Sequence, residues 1–145
     1  MARDPNCIFC KIAAGEIPAA VVHQDEHLVV FLDISPLAEG HLLVIPREHW
    51  ANLADMPAEQ CAGLFSFMPR LGQALLKVTG AAGFNLLLNS GAVAGQVVPH
   101  VHCHLVPRRA GDGLGYRWNA RQYAAGRDSE LAVAYRKCLT AAEHA

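Results

Sequence analysis

The segment His100-Val101-His102-Cys103-His104 concentrates more potential chemistry than any other stretch of the chain. In a strand, side chains at i, i+2 and i+4 leave one face, so the spacing predicts a row of three imidazoles, neighbours roughly 7 Å apart. Val101, Cys103 and Leu105 then pack on the opposite face. Such a row can ligate a metal, move protons or attack as a nucleophile. On the bare spacing, metal binding and metal-free catalysis stand level and ahead of plain core packing, because a catalytic zinc needs a third ligand and outer partners from elsewhere.

The approach to the row shifts that balance toward phosphate chemistry. Gly91-Ala92-Val93-Ala94-Gly95-Gln96 runs straight into the histidines. Its glycines let backbone N–H groups come close to an anion, and Gln96 and Asn89 offer side-chain donors. Donors beside a neutral imidazole suit phosphoryl or nucleotidyl transfer, where positioning and charge stabilisation dominate. A second constellation, Cys7-x-x-Cys10, is a half-site for zinc. Its rival readings are a redox pair, which wants a strand–turn–helix context, or two buried thiols.

The elements that must carry these residues are readable from periodicity. Residues 20–23 and 28–32 predict paired strands joined by the polar turn Gln24-Asp25-Glu26-His27, with His23 and His27 facing solvent. Asp33-Ile34-Ser35-Pro36 breaks the run, Gly40 opens a third strand over 41–45, and residues 84–89 form the fourth. A helix is expected from a cap at Asp55, with Leu64, Met68, Leu71, Leu75 and Val78 on one face and Gly80 as its stop. Pro69 falls inside it and predicts a kink. Leu131, Tyr135, Cys138 and Ala142 mark a terminal helix. The sum is an α+β fold, an antiparallel sheet of about five strands with two helices. It is expected as one domain over 1–145, with 114–145 extending a core at 7–113.

Composition narrows the class. The chain has 145 residues, 52% of them apolar and 17% charged, enough for a real core. A net charge of −1 leaves no basic footprint for nucleic acid, and no apolar run reaches membrane-span length. The polar start and the five cysteines, an odd number, point away from export and disulfides, so a cytoplasmic location is expected.

Gly95-Gln96-Val97-Val98-Pro99-His100-Val101-His102-Cys103-His104-Leu105 resembles the signature of the histidine triad family. The resemblance extends through Cys7-Ile8-Phe9-Cys10-Lys11-Ile12, Gly15-Glu16-Ile17-Pro18, Asp33-Ile34-Ser35-Pro36 and Gly40-His41-Leu42-Leu43-Val44-Ile45-Pro46, and covers roughly residues 7–113. It implies an α+β homodimer that binds purine nucleotides and cleaves at the α-phosphate. It assigns His102 as nucleophile, His104 as the group near the leaving atom, His100 as support and His41 as a fourth histidine beside them. Asp33 matches the ribose contact, and Ile8, Phe9, Ile12, Leu32 and Ile34 match the base pocket. Asn89, Gly95, Gln96 and Val97 fall on the phosphate side. Val97 departs from the family, which usually carries Ser or Thr there, and so lacks a hydroxyl for the leaving group. The resemblance also implies structural zinc on Cys7, Cys10, His49 and His100.

Two branches of the family fit. One acts on nucleoside phosphoramidates or adenylylated amines, and the short Cys-containing block favours it. The other hydrolyses dinucleoside polyphosphates, and residues 104–112 resemble it locally. A nucleotide-binding or interaction module without turnover is the rival from another class, and Val97 is its support. Arg108, Arg109, Arg117 and Arg121 form either a phosphate-attracting rim or a solvated loop. Tyr116 and Trp118 either cover a site or pack, and His144 has no expected role.

Overall fold

The computed structural model describes residues 3–115 and 120–142. Tyr116, Arg117, Trp118 and His144 lie outside the described residues. Five strands form one antiparallel sheet: β1 Val21–Gln24, β2 Leu28–Leu32, β3 Leu42–Pro46, β4 Gly83–Leu88 and β5 Cys103–Arg108. Their spatial order is β1-β2-β3-β5-β4, so β5 lies between β3 and β4. The helices are α1 Ile8–Ala13, α2 Ala58–Ser66, α3 Met68–Thr79 and α4 Arg127–Ala142. Residues 1–114 and 115–145 are separate compact units, the first holding everything described below and the second holding α4.

Both faces of the sheet are covered, which explains the uninterrupted apolar runs of β2 and β3. Leu28, Val30, Leu42, Val44, Cys103 and Leu105 pack on one side with Leu64, Leu71 and Leu75 of α2 and α3. Val29, Phe31, Leu43 and Ile45 pack on the other with Cys7, Phe9 and Cys10 around α1. Val101, Cys103 and Leu105 share the α2/α3 side, as alternation predicts. The β1–β2 turn is held by Asp25, whose carboxylate accepts the N–H groups of His27 and Leu28.

Three expectations are corrected. The single helix from Asp55 is two: Leu53–Asp55 forms a 3-10 turn capped by Asn52, α2 follows Pro57, and α3 restarts at Met68. Pro69 then sits in the first turn of α3, where its missing N–H has no intrahelical partner to lose. Among the described residues there are four α-helices rather than two: that break adds one, and the short α1, which has no apolar period to announce it, adds the other. The third correction concerns the histidines. The strand begins at Cys103, since the His100 N–H bonds Val98 O at 2.8 Å and the Val101 N–H bonds Trp50 O at 2.7 Å. Gly80 ends α3 as expected, in the left-handed conformation at φ 65°.

Candidate active site and metal centre

The broken strand start splits the histidine row. His104, in β5, pairs across to Leu43 of β3 and Leu87 of β4, one strand in from the edge of the sheet. His102 stands just before it, the two rings 5.0 Å apart, and both line a cavity of about 620 Å³. His100, fully buried, turns away from that cavity toward Cys7 and Cys10.

Backbone groups settle which nitrogen of each ring holds the proton. His102 Nδ1 lies 2.7 Å from the His100 carbonyl, an acceptor, so in the neutral ring Nδ1 carries the hydrogen and Nε2 the lone pair. His41 Nδ1 accepts the Leu37 N–H at 3.1 Å, so its hydrogen is on Nε2, which donates to His104 Nδ1 at 2.9 Å. His104 is thereby left with its own hydrogen on Nε2. Burial, with the neighbouring His102 and His41, lowers His104 to a pKa of about 4. Burial also lowers His41, against the pull of Asp33, whose Oδ2 lies 3.7 Å from His41 Nε2. The pair His41–His104 is therefore neutral at neutral pH. One free imidazole lone pair and one imidazole N–H stand side by side, which suits attack on an electrophilic centre with a donor beside it.

Most residues expected in the pocket are brought together. Ile8, Phe9, Ile12, Asp33, Ile34, His41, Asn89, Gly95, Val97, His102 and His104 line the cavity. Leu32 does not: it borders separate hollows beside α3. Gln96 is also displaced from its expected task. Its Nε2 donates to Ala51 O at 2.6 Å and Val98 O at 3.1 Å, while its Oε1 accepts the Gly91 N–H at 2.7 Å. It shapes the loop rather than facing a ligand. The N–H groups of Gly91, Ala94, Gly95 and Gln96 are all bonded within the loop, so the glycines are not the anion donors expected. The N–H groups of Val97 and Val98 have no partner among the described residues, and both residues line the cavity.

Arg108 and Arg109 do not line the cavity, and Arg109 is exposed. Arg108 binds Asp112, Asn85 and the Leu114 carbonyl, and Arg109 binds the Thr79 and Gly80 carbonyls. His23 does not simply face solvent: it stacks on Phe67 at 4.3 Å and bonds Asp25 at 3.2 Å. The Leu37 N–H and the carbonyls of His100 and Pro46, which fix the tautomers, are not legible in the sequence. Main-chain partners leave no residue-type signal. Leu43 and Leu87 stand beside His104 in the cavity wall, a placement that alternation along β3 and β4 does carry.

Cys7, Cys10, His49 and His100 converge, with all four potential ligand atoms within 4.8 Å of one another. Cys7 Sγ and Cys10 Sγ lie 3.5 and 3.6 Å from His100 Nδ1, and Cys10 Sγ lies 3.4 Å from His49 Nδ1. Zn–S bonds of about 2.3 Å and Zn–N bonds of about 2.0–2.1 Å in a tetrahedron give S···N edges of roughly 3.6 Å. The residues therefore fit zinc in size as well as in kind. Outer contacts match too: His100 Nε2 donates to Pro46 O at 2.9 Å, leaving the Nδ1 lone pair toward the thiols, and the Asp4 N–H reaches Cys10 Sγ at 3.4 Å. Burial holds His100 neutral, with a pKa near 4, and raises the Cys10 thiol.

Fold and site define an α+β protein that mounts a pair of imidazoles, one buried and one half-buried, at the head of an inner antiparallel strand, beside a Cys/His cluster. The family model of the HIT domain matches residues 14–111, and the chain belongs to the HIT, or histidine triad, family. It is similar to an adenosine 5'-monophosphoramidase of Candida albicans, 39% identical over 125 residues, covering 83% of this chain and 82% of that one. An adenylylsulfatase of Arabidopsis thaliana is 39% identical over 125 residues, 86% of this chain and 64% of that protein. A solved structure from Streptococcus mutans superposes with a TM-score of 0.91 at 42% identity, covering 95% of this chain and 88% of its own. A zinc-bound histidine triad family protein from Mycobacterium smegmatis gives 0.72 at 38% identity, covering 92% and 97%. Among the described residues no helix is long and apolar enough to cross a membrane.

Proposed function

We propose that this chain is a hydrolase of nucleoside phosphoramidates or adenylylated amines. The observation that carries this reading is the pair of fixed tautomers, a lone pair on His102 Nε2 beside a proton on His104 Nε2. A purine nucleotide would lay its base among Ile8, Phe9, Ile12 and Ile34, with its ribose hydroxyls on Asp33. The α-phosphate would sit before the two histidines, its oxygens toward the Val97 and Val98 N–H groups. His102 Nε2 attacks phosphorus as the P–N bond breaks, the departing nitrogen taking a proton from solvent and leaving as a neutral amine, while the His104 Nε2–H stays in place and hydrogen-bonds the reacting group. Water then attacks the nucleotidyl-histidine, one of its protons passing to solvent, and the nucleotide leaves with His102 restored as a neutral ring.

Phosphoramidates are favoured over dinucleoside polyphosphates by charge. No Lys or Arg lines the cavity among the described residues, and Arg108 and Arg109 are bonded elsewhere. A polyphosphate leaving group would meet the neutral His41–His104 pair and one carboxylate, whereas a departing amine needs only a proton. The relatives named as monophosphoramidase and adenylylsulfatase support a nucleotide hydrolase. Zinc on Cys7, Cys10, His49 and His100 and a homodimer belong to the same reading. The open edge of β4, with Phe84 and Leu86 partly exposed, supports a second copy there.

The test is mass spectrometry for an acid-labile adenylyl adduct, with a substrate panel holding one phosphoramidate and one dinucleoside polyphosphate. Wild type is expected to form the adduct and turn over the phosphoramidate faster. His102→Ala is expected to form none and to lose at least ~10³-fold in kcat. Turnover that does not depend on His102 would sink the enzymatic reading.

A further inference from the structure

The metal cluster and the imidazole pair are joined through one residue and one ring. The side chain of His100 faces Cys7 and Cys10, while its carbonyl receives the Nδ1–H of His102 at 2.7 Å. The bond that sets the nucleophile's tautomer thus starts from the backbone of a metal ligand. Phe9 stands between Cys7 and Cys10 in the chain, and its ring lies edge-on to His100 at 5.9 Å and to His102 at 5.1 Å. Ile8 and Ile12 of the same helix line the cavity. That helix, α1, is six residues long with no side-chain cap, far below the length that holds itself together in water. It is attached by apolar packing against β2 and β3, by Arg47 and Arg3 donating to the Ala13 and Cys10 carbonyls at 2.7 and 3.3 Å, and by the two thiols at His49 and His100, of which only the thiols reach the histidines beside the cavity.

We propose that a metal ion held by Cys7, Cys10, His49 and His100 positions the nucleotide site, holding α1 as one wall of the pocket and holding His100 so that its carbonyl orients His102. Phe9 is the positioning residue that passes this constraint from the cluster to the nucleophile. The inference rests on the reading of the cavity as a nucleotide site, and it takes the cluster beyond a staple for the fold. Removing a supporting contact of a fixed reacting group costs about 10- to 100-fold in comparable sites.

The experiment uses the full chain, with zinc content measured by elemental mass spectrometry. AMP affinity is measured by calorimetry and the ring nitrogen shifts of His102 by NMR, for wild type, His49→Ala and Phe9→Leu. Wild type is expected to hold about one zinc per chain. Stripping it, or His49→Ala, is expected to keep the far-UV CD spectrum while weakening AMP about tenfold, and zinc is expected to restore wild type. The His102 shifts are expected to move from a single Nδ1–H form toward a mixture. Phe9→Leu is expected to keep its zinc, with AMP affinity now changing less than about threefold on stripping. The proposal is overturned by a wild type that binds no zinc, or by a stripped protein that keeps its AMP affinity and His102 shifts. It is equally overturned if stripping unfolds the chain, since the cluster then holds the fold alone. A zinc-responsive His102 signal in a protein that never binds AMP would support the coupling while refuting the nucleotide reading.

Discussion

His41 never needs to touch substrate, yet its replacement should be among the most costly near the site. It is 2% exposed and bridges Leu37 N–H at 3.1 Å to His104 Nδ1 at 2.9 Å, acceptor on one nitrogen and donor on the other. His41→Leu removes that donor. His104 Nδ1 is left unpaired in a half-buried place, and the hydrogen on its Nε2 is no longer fixed. Leaving a buried polar atom without its partner costs about 1–3 kcal/mol. If that loss falls on the transition state, it is roughly 5- to 150-fold in rate. The expected signature is a fall in kcat with KM changed less than about threefold, because the nucleoside wall is untouched. His41→Gln is the control. Its amide N–H can donate where Nε2 did and its carbonyl can accept from Leu37, so most of the rate should return. Steady-state kinetics on a phosphoramidate decides the matter, with thermal melts to check folding. A fully active His41→Leu, or a His41→Gln as slow as His41→Leu, would refute the tautomer chain.

Other consequences follow from the same geometry. His104 titrates near 4 in the fold but near 6.5 when unfolded, so the unfolded chain binds more protons between those values. Stability is then full above about pH 6.5 and falls as pH drops toward 4, by about 1–2 kcal/mol after allowance for solvent access to the ring. Urea melts at several pH values should show this slope in wild type and a shallower one in His104→Gln, and equal slopes would count against it. Gly40 adopts φ +91°, and a Cβ there would stand 2.5 Å from Thr79 Cγ2, so Gly40→Ala should cost about 1–3 kcal/mol and lower the melting temperature. Val97 is 89% exposed in the loop beside the histidines, so Val97→Ser should leave stability within about 0.5 kcal/mol. The added hydroxyl should raise phosphoramidate kcat several-fold with AMP affinity unchanged, measured by the same kinetics.

The parts legible in the sequence are those where side-chain type and structural period coincide. β2 and β3 read as strands because both faces are covered, and Val101, Cys103 and Leu105 declared their face by alternation. The two-Cys, two-His set was legible through resemblance, and its convergence is geometric fact here. Main-chain choices were not legible. A strand over His100–His104 is what the alternation asks for, but the amides of His100 and Val101 bond to loops, so the row starts late and His100 leaves it. Gln96 has the chemistry of a phosphate donor, yet three nearby main-chain groups satisfy it first. Pro69 predicts a kink, and the chain breaks and restarts instead, because a helix start tolerates the missing N–H that an interior does not.

The splitting of the row has a physical logic. Three imidazoles stacked on one strand face would suppress one another's protonation and compete for one substrate, so at most two can act on a phosphate at a time. Directing His100 along the same side of the sheet to the Cys7–Cys10 segment removes it from that competition and gives its Nδ1 to two thiols, while its carbonyl holds His102. His104 is served in parallel from the other side, through His41 and the Leu37 amide. Each reacting ring is thus held by a main-chain group at the far end of its own hydrogen-bond chain, and neither chain passes through solvent-exposed side chains. A lone pair and a proton can then persist 5.0 Å apart, ring to ring, without exchanging places. The histidine spacing supplies the rings, and the backbone around them assigns each its part.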